Sequence, residues 1–462
     1  MPEGFNKGLF STFAVMIVDR SVRLVAMKQV TVSCPQGHIQ GIEYDEGIRV
    51  FHSIPYLDIP GPFYDSQLRL HTQRLSQPVF DCTSAHPEQP ALSIVTPAHL
   101  RPGSDAPVIA YIHGGAYIHG SHADPESDAV RLAQQGYVCV NLGYRLGAAG
   151  FSQFHDDFFS HYRGINDCLL GLEWIQRCIE SFGGDPTSVT LMGQSAGGGI
   201  VLWLMRRDQF RGGFRQAIAL SPSFPRVPGW KRRTSLRSAL FCPLTRSHLN
   251  DLATRKPRAF TRGQQRYARL HPTDVPFGPF PCDSQEWDPS IPVLLSCTDA
   301  EFWDYPFAQR VDPSPWSSPI ATMMLRHFGV PASQRQPYFS QLPAEHRVGT
   351  VISDAIIRRW VAECAASSPS PTWVMQHRSQ PDIGKVATHC ADLDWIFHAT
   401  SPNWIRRTLD YFIHHHELNW PRYEHQGSRT VVEIFGSGTD SAEKMLTHDP
   451  LAHIREAFPP TR

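Results

Sequence analysis

The ten cysteines of the sequence include no C-x-x-C pair, no N-x-[ST] sequon occurs, and 43 Lys and Arg are balanced by 43 Asp and Glu. A zero net charge excludes a whole-chain field that would draw the protein to nucleic acid or to acidic membranes. Scattered cysteines, several inside apolar runs as Cys139 is in Tyr137-Val138-Cys139-Val140, read as small buried hydrophobes in a reducing compartment rather than as a disulfide framework. The missing sequon argues against a secreted eukaryotic glycoprotein. Long apolar runs are missing at the N-terminus too: Leu9–Val18 is too short to span a bilayer. That stretch follows a single Lys7 and has no small-x-small cleavage site. It reads as a buried strand or a disordered leader before it reads as a signal peptide. Together these features favour a cytoplasmic protein with no integral membrane segment and no nucleic-acid partner.

The chain has the material for a sizeable core. Its 462 residues exceed one average domain, 41% of them are apolar, and large α/β folds run this long around one sheet. The organising stretch is Gly193-Gln194-Ser195-Ala196-Gly197. Val189-Thr190-Leu191-Met192 leads into it as a buried strand, and Gly198-Gly199-Ile200-Val201-Leu202-Trp203-Leu204-Met205 follows as a helix-length apolar run. Strand, G-x-S-x-G and helix form a nucleophile elbow, which holds the serine in a strained turn. Small residues two before and two after the serine keep strand and helix from clashing. The hydroxyl then stands near a helix N-terminus, where the dipole favours developing negative charge.

Upstream, Pro107-Val108-Ile109-Ala110-Tyr111-Ile112 is a strand buried on both faces, ending in His113-Gly114-Gly115-Ala116-Tyr117. Adjacent glycines there let backbone N–H groups converge on one point, as an oxyanion requires; an ordinary glycine turn is the plainer alternative. Between these two stretches lie a helix over 126–135, a strand over 137–144 and a strong helix over 166–182. The last is stopped by Gly183-Gly184-Asp185-Pro186. Such alternation means a parallel sheet with right-handed crossovers. A hairpin over 29–42, a strand over 50–56 and another over 91–97 precede it. Strands over 217–220, 291–295 and 373–375 follow. From Arg226 to His271, twelve Lys or Arg stand against the single acid Asp251. This is a solvated cap over the sheet or a site for an anionic partner, without the aromatic interleaving that base stacking needs. The run His414-His415-His416 diverges around a helix and reads as polar surface rather than a metal site.

The chain resembles the type B carboxylesterases, the α/β-hydrolase branch that includes the cholinesterases. Tyr111–Tyr117 resembles that family's oxyanion strand, Asn141–Gly147 with Gly150-Phe151 its "NYRLG…GF" signature, and Asn166–Pro186 its elbow-preceding block. Ile54-Pro55-Tyr56 and Trp420-Pro421-Arg422-Tyr423 are similar to its "GIPYA" and "WPxY". The resemblance covers roughly residues 29–436. It implies an α/β-hydrolase fold: a central, mostly parallel twisted sheet flanked by helices, with a shortened helical cap. The expected division is a leader over 1–28, then one domain over 29–462 with its cap insertion at about 226–290.

The resemblance also points to the partners of Ser195. Thr298-Asp299-Ala300-Glu301 is similar to "T-x-D-E-G", which makes Glu301 the expected acid, with Asp299 and Asp304 as rivals. His389-Cys390-Ala391-Asp392-Leu393 is similar to "H-G-x-D-L", which makes His389 the expected base. Three departures stand out: Phe302 and Cys390 replace the usual glycines after the acid and the histidine, and Gln194 replaces the more common glutamate before the serine. The family's first disulfide is broken, because Pro90 stands where the partner of Cys82 would be. The expected oxyanion donors are Gly114, Gly115 and Ala196, and the expected chemistry is ester hydrolysis through an acyl-enzyme, with no metal or organic cofactor. The same triad would serve acyl transfer, elimination or cyclisation, and a non-catalytic binding protein is a further alternative. Trp230, Trp287, Phe302, Trp303 and Trp395 are candidates for an apolar substrate pocket, or ordinary core.

Overall fold

The structure, a computed structural model, describes residues 25–70, 78–158, 160–280, 283–380, 386–400, 403–424, 426–435 and 443–458. The expected leader therefore falls almost wholly outside the described residues. The first strand, β1 (Ala26–Cys34), pairs antiparallel with β2 (Gly37–Tyr44), with Pro35 and Gln36 between them. Next in the chain come β3 (Ile48–Ile54), β4 (Leu92–Pro97), β5 (Ala106–Ile112), β6 (Val138–Leu142) and β7 (Gly184–Gln194). Then follow β8 (Gln216–Leu220), β9 (Val293–Thr298), β10 (Thr372–Arg378), β11 (Thr430–Phe435) and β12 (Glu443–His448).

All twelve join one sheet in the order β1-β2-β3-β4-β6-β5-β7-β8-β9-β10-β11-β12. From β6 to β11 every neighbouring pair is parallel, while the strands at both ends pair antiparallel. The parallel strands are largely apolar because both faces are covered. Along β5, Val108, Ala110 and Ile112 pack into one core while Ile109 and Tyr111 pack into the other. That is the period of two that a pleated strand imposes.

Helices on both faces close the two cores. α1 (Arg163–Cys178) continues as a 3-10 turn through Phe182, and Gly183 at φ +89° ends it. α2 (Ala196–Leu204) leaves the end of β7 and is buried along its whole length. The expected helix over 126–135 is shorter, a single turn at Val130–Ala133 after a 3-10 turn at Pro125–Ser127. The basic stretch folds as α3 (Arg233–Leu240), α4 (Arg246–Arg255) and α5 (Pro257–Leu270). Between β9 and β10 runs α6 (Ser317–His327), then a continuous rod from Arg347 to Ser367 whose middle turn, Asp354–Arg358, widens to a π-helix. α7 (Trp404–His415) precedes β11. Among the described residues no helix is long and apolar enough to cross a membrane, and all nine described cysteines are free thiols.

Candidate active site

Ser195 is the single residue between β7 and α2, with φ 55° and ψ −118°. A non-glycine residue with positive φ is strained, and the surroundings hold it there. Its N–H donates to Leu220 O (2.8 Å), and its carbonyl accepts from Gly199 N (2.9 Å) and Ser223 N (3.0 Å). The small flanking residues are required by contact. A Cβ on Gly193 would lie 2.6 Å from the Gly197 backbone, and one on Gly197 would lie 2.0 Å from Ile112 O. Strand and helix thus approach too closely for any side chain at either position.

Glu301 and His389 come together from two loops beyond the C-terminal ends of β9 and β10. His389 Nδ1 lies 2.5 Å from Glu301 Oε2, and His389 N donates to Glu301 O at 3.0 Å. The other carboxylate oxygen, Oε1, accepts from Ser221 Oγ (2.7 Å) and Thr298 N (2.8 Å). Burial pushes the Glu301 carboxyl up. The charge and hydrogen bond of His389, with the Thr298 and Ser221 donors, outweigh it and hold the group below its ordinary range. Burial lowers the His389 imidazole, but the charge and hydrogen bond of Glu301, aided by Asp392 and Asp304, raise it above its ordinary value. Among the described residues, neither rival acid is hydrogen-bonded to the imidazole. Asp299 accepts from Ser379 N and Oγ (2.9 and 2.6 Å), and Asp304 is exposed.

The departures from the family pattern have physical consequences. Cys390 adopts φ +67°, the left-handed conformation that favours glycine. Phe302 needs no such conformation and instead stacks on the His389 ring, centroids 5.3 Å apart. Gln194 Nε2 lies 3.2 Å from His389 Nε2. Because Nδ1–H is given to Glu301, Nε2 carries the lone pair and accepts from the Gln194 amide. Among the described residues no hydrogen bond joins Ser195 Oγ to His389.

The third group is the loop after β5. Gly115, Ala116 and Tyr117 are consecutive at φ +99°, +52° and +62°, a concentration of strain typical of functional loops. Gly114 faces the elbow so closely that a Cβ would lie 2.5 Å from Gln194 Oε1 and 3.2 Å from Ser195 Cβ. Tyr117 Oη donates to Ser223 O (2.7 Å), which ties the loop to the segment after β8. Among the described residues the N–H groups of Gly114, Gly115 and Ala196 make no hydrogen bond to the protein's own carbonyls.

Ser221 and the amide role of Gln194 are absent from the sequence reading. Ser221 simply follows β8, and nothing local marks it. Of the aromatic candidates, Phe302 touches His389, whereas Trp287 is fully buried core and Trp303 stacks on His346 (3.9 Å). Trp395 packs against His377, and Trp230 is exposed on the cap. His414 and His415 are exposed at the end of α7, and His416 turns to Gln216. No group of three or more potential metal-ligating side chains occurs among the described residues.

The sequence pattern of the carboxylesterase family matches residues 91–242, the span that holds the glycine loop and the elbow. The chain is 31% identical over 237 residues to the "Crystal protein" of Dictyostelium discoideum, an alignment taking in 47% of this chain and 42% of that protein. It is 26% identical over 409 residues to the para-nitrobenzyl esterase of Bacillus subtilis, 78% of this chain and 81% of the relative. Its fold matches a solved PNB esterase with TM-score 0.74 at 21% identity, over 94% of this chain and all of that one. A Geobacillus stearothermophilus carboxylesterase matches with the same score at 19% identity. The chain thus has the α/β-hydrolase fold, and its central block, residues 91–242, is similar to the carboxylesterase family.

Proposed function

We propose that this protein hydrolyses small carboxylic esters through an acyl-enzyme on Ser195, with His389 as general base and acid and Glu301 as its orienting carboxylate. The observation that carries this reading is the buried Glu301–His389 contact of 2.5 Å beside the elbow. It directs the imidazole's lone pair, on Nε2, toward the nucleophile's side of the site. In the first step His389 Nε2 takes the Ser195 proton as Oγ attacks the ester carbonyl. The Gln194 amide occupies the same lone pair at rest and must give way for this transfer. Negative charge on the carbonyl oxygen is received by the N–H groups of Gly114, Gly115 and Ala196, each such donor contributing about 3 kcal/mol to the transition state. Glu301 stabilises the imidazolium, which then protonates the departing alcohol. Water hydrolyses the acyl-enzyme by the reverse sequence of proton transfers. Esterase relatives supply the substrate class by analogy.

Release of p-nitrophenol from acetyl, butyryl and octanoyl esters is the direct test. Turnover by the native protein and none by Ser195→Ala is the expected result. Equal turnover by both proteins, or failure of a fluorophosphonate to label Ser195, would remove the proposal.

A further inference from the structure

A cavity of about 460 Å³ opens in the cap, and Ser195 is not among the residues that line it. Its floor and walls are apolar, formed by Phe154 beneath and by Leu236, Leu249 and Tyr267 from α3, α4 and α5. This size and lining are those of a small-molecule site. Two large aromatic side chains stand open at its boundary: Phe158 is 84% exposed and Trp230 57%. Neither side chain belongs to the buried core.

The charges around the cavity have one sign. Arg233 lines it, is exposed, and reaches across to donate to Gln153 O (3.0 Å). Lys231 Nζ stands 5.2 Å from the centre of the Trp230 ring. The acid in the lining, Asp157, is already neutralised twice, by Arg163 (2.7 Å) and Arg246 (2.8 Å). Neither Arg233 nor Lys231 has a carboxylate partner among the described residues. An occupant with an apolar body and one negative end would satisfy both the walls and the rim.

We infer that the cap cavity is a second binding site, separate from the ester site, for a monomeric aliphatic carboxylate whose chain fills the cavity and whose carboxylate meets Arg233 and Lys231. The inference does not rest on the esterase reading, since none of the residues assigned to that chemistry lines the cavity. The two sites are nevertheless neighbours. Gly278, in the cavity wall, is packed so tightly that a Cβ there would lie 2.7 Å from the Tyr117 ring. Tyr117 in turn hydrogen-bonds Ser223 O, and Ser223 N donates to Ser195 O.

The test is fluorescence titration of the full chain with 11-(dansylamino)undecanoic acid. Saturable binding of one equivalent is expected, unchanged after Ser195 is blocked with a fluorophosphonate. Arg233→Gln should weaken it about tenfold, as loss of a charge-assisted contact does, and Trp230→Ala should also weaken it. Both residues are exposed, so neither substitution burdens folding. The corresponding alcohol should bind about tenfold more weakly than the acid and be indifferent to Arg233→Gln. Loss of binding on blocking Ser195 would place the probe in the ester site and overturn the proposal. Equal affinity for acid and alcohol, or an unaffected Arg233→Gln, would overturn it as well.

Discussion

At the scale of the residue, the proposed proton transfer depends on what His389 touches. Its Nδ1 is fixed by a buried carboxylate and its Nε2 by a neutral amide. Because the Glu301 charge raises the imidazole pKa and the reaction needs the neutral form, the acid limb of kcat/KM should lie above the ~6.5 of a free histidine. Glu301→Gln removes that charge, so the limb should move to lower pH. The imidazole also loses its tautomer control, and kcat should fall by about 10⁴. Gln194→Glu acts in the opposite sense: a second carboxylate on the imidazole should move the limb up by about one pH unit. A pH–rate series on the three proteins reads all of this, and a limb that stays in place in Gln194→Glu would show that Gln194 and His389 are not in contact. Cys390 supplies a separate check. At φ +67° a glycine is relaxed and a β-branched residue is strained, so Cys390→Gly should keep activity and thermal stability while Cys390→Val loses both. Ser195 is marked in the sequence by its strand–turn–helix pattern, and Glu301 and His389 are pointed to by short patterns of the family the chain resembles. Ser221 and the stacking of Phe302 on His389 are not, because they depend on where separate loops meet.

At the scale of the element, contact distances decide which sequence features are obligatory. The elbow is one case, since Gly197→Ala would drive a Cβ to 2.0 Å from Ile112 O and separate α2 from β5. A soluble variant should be inactive, with α2 amides exchanging faster with solvent. The buried pair behind the glycine loop is another. Arg145 Nε and Nη2 each donate to Asp167 at 2.8 Å, Ser66 Oγ donates to the same carboxylate at 2.6 Å, and the group is closed off from water. Arg145→Met would leave the Asp167 charge buried without its partner, a loss of about 3–5 kcal/mol to be read as a lower urea midpoint. Helix α1 and the parallel strands are legible because periodicity and β-branched runs act locally. The turn at Val130–Ala133 is shorter than its pattern suggests, because Pro125 and Gly136 bracket too few residues. The π-turn in the rod from Arg347 to Ser367 leaves no local mark: it is bound to its surroundings by Asp354, which pairs with Arg358 and accepts from Tyr338 Oη at 2.6 Å.

At the scale of the whole molecule, a zero net charge conceals a strong asymmetry. The segment from Arg226 to His271 carries twelve cations against one acid, which leaves 31 Lys or Arg against 42 Asp or Glu in the rest of the chain. The cap is therefore positive by eleven and the remainder negative by the same amount. Folding spends part of the cap's charge, because Arg232 is buried on Asp274 and Arg246 reaches Asp156. Arg237, Lys256, Arg258 and Arg262 remain exposed on α3 and on the turn and first half of α5, with no carboxylate partner among the described residues. The composition is legible in the sequence, whereas its gathering on one face depends on the packing of α3 against α5, joined where Gly263 meets Leu240. Charge of one sign on a face acts over about a Debye length, ~8 Å at physiological salt, regardless of the net total. The protein should consequently be held by a sulfopropyl cation exchanger at pH 7.4 and 20 mM salt, although its sequence pI is near 7.4. It should elute as ionic strength rises. Replacing Arg237, Lys256, Arg258 and Arg262 together by Gln should abolish retention without lowering the thermal midpoint, since these side chains make no buried contact. Retention that survives the fourfold replacement would place the positive surface elsewhere than on the cap.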